Sequence, residues 1–216
     1  MVARVRAALK DTGHVAQPAK AREAILARHA HGPRPPMPAD LAARFVERAE
    51  SMASTVVRLA SVADVPSAVA RYLDGLVLPP SIAAQKSHKG VCWPEFAGLD
   101  WAGADLEIEA RPTVGDDRLG VTGCLCAIAE TGTLVVTSSP STPTATTLLP
   151  DTHVAVLREG DVVAGMEEAF ERVRAAHGGM PRAVNMISGP SRTGDIEQTI
   201  VLGAHGPYRV HVLLVP

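Results

Sequence analysis

Short apolar runs rich in Val, Leu and Ile, bounded by Gly, Pro, Ser or Asp, recur through the chain and alternate with helical stretches. STVVRL at 54–59, LEIEA at 106–110, TLVVTSS at 133–139, HVAVLRE at 153–159, AVNMISG at 183–189 and VHVLLV at 210–215 read as strands. LVLP at 76–79 reads as a short buried one. Between them, PSAVARYLDG at 66–75 starts with Pro and ends with Gly, as helices often do. Asp161 to Ala176 carries a further helical pattern, and Asp40 opens another in which Leu41, Phe45, Ala49 and Met52 recur at helical spacing. This alternation predicts an α/β fold with a mainly parallel sheet flanked by helices. Aromatic residues make up only 3% of the chain, so the core has to be built from Val, Leu, Ile and Ala, as in sheets covered on both faces.

Residues 1–36 differ from the rest. Two Ala- and Arg-rich helical stretches, Val2 to Leu9 and Ala19 to Ala30, precede the breaker HGPRPPMP at 31–38. Such short helices bury little by themselves, which predicts an N-terminal helical arm at 1–36 and an α/β domain at 37–216. Residues 80–103 read as irregular and hold both tryptophans. The net charge is −2 with no block of basic residues, which argues against a nucleic-acid partner. The apolar runs fall short of a membrane span, and MVARVRAALKD lacks the apolar region of a secretory signal. Three cysteines, Cys92, Cys124 and Cys126, are too few for a disulfide framework, so a reducing cytoplasm is the expected location. Cys124 and Cys126 are placed on one face of a strand as small buried residues; no metal site is expected from them.

Three loops carry the candidate chemistry. The first is Glu130-Thr131-Gly132-Thr133, a polar turn between CAIA and LVV. Beside strand ends, where open α/β sheets bind ligands, Glu130 is placed as base, nucleophile or cation ligand, or as a solvated turn carboxylate. The second is Ser188-Gly189-Pro190-Ser191-Arg192-Thr193-Gly194-Asp195-Ile196-Glu197, which follows an apolar strand and precedes the helical pattern IEQTIV. A strand, a glycine-containing loop and a helix start together make an anion cradle of free N–H groups. Gly189 and Gly194 have the P-loop spacing, but Asp195 stands where the phosphate-binding Lys belongs, which excludes a nucleoside-triphosphatase. Thr193 or Asp195 also suits a helix cap. The third is Gly203-Ala204-His205-Gly206-Pro207, whose histidine titrates near neutral pH if accessible, or merely caps and hydrates the loop.

GVTGCLCAIAETGTLVV, LLPDTHVAVL, ISGPSRTGDIE and GAHGP occur in this order, and together they resemble the LUD-domain family in its lactate-utilisation protein C branch. The resemblance runs from about residue 40 to residue 216 and is strongest from 119 onward. It implies a fold like that of the sugar-phosphate isomerase and CoA-transferase superfamily. It also implies a part in oxidising L-lactate to pyruvate with two iron–sulfur partner proteins. The matching positions make Glu130, Asp195 and His205 candidates for catalysis. Thr131, Gly132, Thr133, Ser188, Gly189, Ser191, Thr193, Glu197 and Gly206 are candidates for ligand binding. Three cysteines do not supply the four thiolates usual for an iron–sulfur cluster, and no flavin or nicotinamide fingerprint is present. Redox centres are therefore expected on the partners, and this chain is expected to bind a small carboxylate, to organise the complex, or both. The alternative is a free-standing CoA-transferase-like or phosphosugar-type enzyme using Glu130.

Overall fold

A computed structural model describes residues 34–77, 88–193, 201–203 and 205–216. The compact unit considered below is Met37–Pro216. Its first helix, α1 (Leu41–Ser51), starts where Asp40 Oδ1 accepts the Ala43 N–H at 2.8 Å and buries Phe45 and Ala49. After β1 (Thr55–Arg58) comes α2 (Val65–Asp74), with Pro66 in its first turn. Then follow β2 (Lys89–Cys92), β3 (Glu107–Ala110), β4 (Leu119–Gly123), β5 (Cys126–Ile128) and β6 (Thr133–Thr137). The short helix α3 (Ala145–Leu148) leads to β7 (Thr152–Arg158) and β8 (Val162–Val163). The chain continues through α4 (Met166–His177), β9 (Val184–Ile187), β10 (Arg192–Thr193), β11 (Val201–Leu202) and β12 (Arg209–Val215).

Six strands form one sheet in the order β1-β12-β7-β4-β2-β3. Every neighbouring pair in it is parallel. The Val-rich central strands explain this: β4, β7 and β12 are buried on nearly every residue, which requires cover on both faces. The expected α/β class with a mainly parallel sheet and flanking helices is therefore what the chain adopts. A second sheet, β8-β5-β6-β9, pairs β5 with β6 and β6 with β9 antiparallel and β5 with β8 parallel. One face of it, with Cys126, Ile128 and Val135, packs on Ala169 and Val173 of α4. Ala127, Ala129, Leu134 and Val136 instead join the main core with Val154, Leu157 and Val212. The connection from β2 runs outward to β3, whereas the chain leaving β4 next enters the large sheet on the opposite side, at β7. The carboxyl ends of β2 and β4 thus flank a topological switch point.

Several local expectations change. The helix placed at 161–176 begins at Met166, because Val162 and Val163 pair with Ala127 and Ile128 instead of helping to form a helix. The strand placed at 76–79 is not formed at Leu76 and Val77, and Val77 is 95% exposed; its last two residues lie outside the described ones. The stretch at 80–103 is not wholly irregular, since Lys89–Cys92 is an inner strand of the large sheet. Its sequence, KGVC, lacks the β-branched alternation that marks a strand, and pairing on both sides decides it. Cys124 and Cys126 do not share a strand face: Cys124 lies in the break between β4 and β5, packed on the main core, and Cys126 lies in the smaller cluster under α4. Val201, the end of the expected helical pattern IEQTIV, is in a strand paired with Thr193; 196–200 lie outside the described residues. So do residues 1–33 of the expected arm. Among the described residues no helix is long and apolar enough to cross a membrane.

Candidate functional site

The Glu130 turn is built by a tight antiparallel hairpin. Ile128 pairs with Thr133, and Gly132 donates its N–H to the Ile128 carbonyl at 2.9 Å. Gly132 has φ +68°, and a Cβ there would collide with the backbone of Arg48 and Ala49 in α1, so only glycine fits. Ala129 and Glu130 donate their N–H groups to Val163 and Ala164 at 2.8 and 3.1 Å, which ties the turn to β8. Glu130 is partly exposed, and its carboxylate stands beside Gly165, at the start of α4, together with those of Glu167 and Glu168. The Glu168 carboxylate accepts the Gly165 N–H at 3.0 Å.

Behind Glu130 runs a chain of hydroxyls. Thr131 Oγ1 and Thr133 Oγ1 are 2.6 Å apart, and Thr133 Oγ1 is 2.7 Å from Ser188 Oγ. It runs from half-buried Thr131 through buried Thr133 to exposed Ser188. Each hydroxyl is both donor and acceptor, so the chain can reorient its protons as a unit. Gly189, with φ +79°, presses on the Met52 carbonyl at the end of α1. Thr131, Gly132, Thr133, Ser188 and Gly189 are thus brought together at the carboxyl end of one helix.

Ser191, Thr193, His205 and Gly206 form a second group. Ser191 donates its N–H to the Pro207 carbonyl and accepts the Gly203 N–H, both at 2.9 Å. Arg192 and Thr193 pair with Leu202 and Val201. Gly206 packs on the Ser191 side chain, and His205 is exposed. The segment Gly189-Pro190 joins the two groups. Gly194, Asp195 and Glu197 lie outside the described residues.

Burial pushes the thiols of Cys92 and Cys126 up to about 11 and that of Cys124 up as well, so all three are protonated at neutral pH. Among the described residues no group of three or more His, Cys, Asp or Glu side chains is placed to hold a metal ion. Sequence reading missed the company Glu130 keeps, because Glu167 and Glu168 belong to a helix whose start it misplaced. It also passed over Glu95 and Arg158, which line a crevice at the carboxyl ends of β4 and β7. The signal for Arg158 was its place at the end of a recognised strand; Glu95 follows a strand that was not recognised.

A doubly covered parallel sheet with polar loops at its margins defines an α/β protein, and the comparisons give its family. The LUD domain model matches residues 42–215, and the chain belongs to the LUD domain family. It is 33% identical over 127 residues to the lactate utilization protein C of Bacillus subtilis, covering 57% of this chain and 53% of that one. It is 41% identical over 96 residues to the protein of the same name from Deinococcus radiodurans, covering 44% and 45%. Those aligned regions span about half the length of the curated relatives. The fold is also that of a crystal structure of a DUF162 family protein from Deinococcus radiodurans, with a TM-score of 0.56 and 24% identity over 84% of this chain and 100% of the other.

Proposed function

We propose that this chain is a component of an L-lactate utilisation system, which takes lactate to pyruvate in the cytoplasm. The observation that carries the reading is its similarity to proteins named lactate utilization protein C in several bacteria. The chain binds a small carboxylate, organises iron–sulfur partner subunits, or both. Electrons leave lactate for centres on those partners, since three cysteines on this chain fall short of the four thiolates usual for a cluster. Glu130, with a partly exposed carboxylate, is our candidate for holding or moving a proton, and the Thr131–Thr133–Ser188 hydroxyls support the turn that carries it. The test is a pull-down from native cytoplasm followed by lactate-dependent dye reduction with and without this chain. Recovery of iron–sulfur proteins, with dye reduction that needs this chain, is the expected result. Dye reduction indifferent to the chain, or acyl-CoA turnover by the chain alone, would overturn it in favour of a free-standing enzyme.

A further inference from the structure

The crevice at the topological switch point is separate from the loops that carry Glu130 and His205. Its floor is the end of β4, at Gly123 and Cys124, and its sides come from the segments after β2 and β7. The cavity is about 50 Å³. At roughly 10–15 Å³ for each water-sized group, that space admits three to five such groups, the size of a carboxylate with one substituted carbon.

Its polar groups are not interchangeable. A side chain at Gly123 would collide with the Glu95 carboxylate, so the glycine is what lets Glu95 fold back over the strand end. Burial raises the Glu95 carboxyl above its ordinary range, opposed by the Arg158 charge and the Gly123 N–H. Asp161 is committed elsewhere, to Arg172 at 2.6 Å. The Cys124 thiol points to the Val156 carbonyl at 3.8 Å. Arg158 lines the same crevice and forms no ion pair within 4 Å among the described residues, although its neighbour Glu159 pairs with Arg58. A guanidinium with no ion pair among the described residues and the Glu95 carboxyl thus line the same small space.

We propose that this crevice binds a small 2-hydroxycarboxylate, with the Arg158 guanidinium on the ligand carboxylate and Glu95 accepting its hydroxyl. The guanidinium fork matches a carboxylate, and an acceptor opposite it selects ligands that carry a hydroxyl. The crevice itself is independent of the lactate-utilisation reading; the choice of L-lactate as probe rests on it.

Binding is followed by isothermal titration calorimetry, which needs no reporter residue in the crevice. The measurement is a titration of the full chain with L-lactate and with propionate, which has the same skeleton without the hydroxyl. The expected result is saturable binding of L-lactate in preference to propionate. Arg158→Ala weakens it by about ten-fold or more, and Arg158→Lys recovers part of the loss. Glu95→Ala abolishes the preference for L-lactate. Circular dichroism melts of each variant separate lost binding from lost folding. No saturable change, equal binding of the two acids by the unaltered chain, or an Arg158→Ala variant that folds and binds as before would overturn the proposal. Because the titration needs no partner protein, its failure leaves the dye-reduction result standing, and failure of dye reduction leaves the titration standing.

Discussion

At Glu130 the two roles of a turn carboxylate separate by substitution. Its N–H is spent on Ala164, but its carboxylate is partly exposed beside those of Glu167 and Glu168. Glu130→Gln keeps the shape and removes the charge, so melting should change by no more than about 0.5 kcal/mol, as for surface changes generally. Lactate-dependent dye reduction in the reconstituted system should fall roughly 10²–10⁴-fold if this carboxylate moves a proton. Full activity in the variant would leave Glu130 a turn residue. Two buried histidines govern pH dependence. Thr122 donates its hydroxyl to the Gly123 carbonyl, so His153 Nε2, 2.8 Å away, is the donor in their bond, and the buried Nδ1 has no partner among the described residues. Burial holds His153 down to about 4, and His211, stacked on Tyr72, down to about 4. Both folded-state values lie below the unfolded one. The stability that neutral rings allow is therefore complete above about pH 6.5 and is lost as pH falls towards 4. Urea unfolding at pH 7 and pH 5 should differ by on the order of 2 kcal/mol for each ring. His153→Gln should remove about half of that dependence and leave the His211 part, whatever its effect at pH 7.

Helix α1 is the element on which the first group of site residues rests. Gly132 presses on Arg48 and Ala49, and Gly189 on Met52, so the helix end sets where both loops sit. Its start depends on Asp40, whose carboxylate caps the Ala43 N–H. Asp40→Ala should cost about 1 kcal/mol in urea unfolding, the usual worth of such a cap. Gly132→Ala should cost more, roughly 1–3 kcal/mol from backbone strain alone, because alanine has to adopt φ +68° while its methyl group displaces α1. A Gly132→Ala variant as stable as the unaltered chain would show that α1 yields readily and is no platform. The cap was legible in the sequence, where Asp precedes a helical apolar pattern. The contact with Gly132 was not, since nothing local to an ETGT turn says which helix lies against it.

For the molecule as a whole, the separability of residues 1–36 is open to a direct test. Met37 packs on the core of the Met37–Pro216 unit. Removing 1–36 should leave a cooperative melt close to that of the full chain. A large fall in melting temperature would make those residues part of the core. The redox assignment has a test at the same scale: the chain purified alone should show no flavin or iron–sulfur absorption band that survives gel filtration.

The α/β class, the long central strands β7 and β12, helix α2 and the polar character of three loops were determined by the sequence itself. Each is a local pattern of apolar spacing, caps and turn residues that persists over enough positions to exclude the alternatives. Division into two sheets was decided only by tertiary structure, because β5 and β6 are as apolar as the strands of the parallel sheet and their partners are distant in the chain. KGVC became a strand by pairing with β3 on one side and β4 on the other, against its own weak propensity. The same holds for the crevice of Glu95 and Arg158: they line one space because β2, β4 and β7 end side by side, and strand order is not written in any one segment.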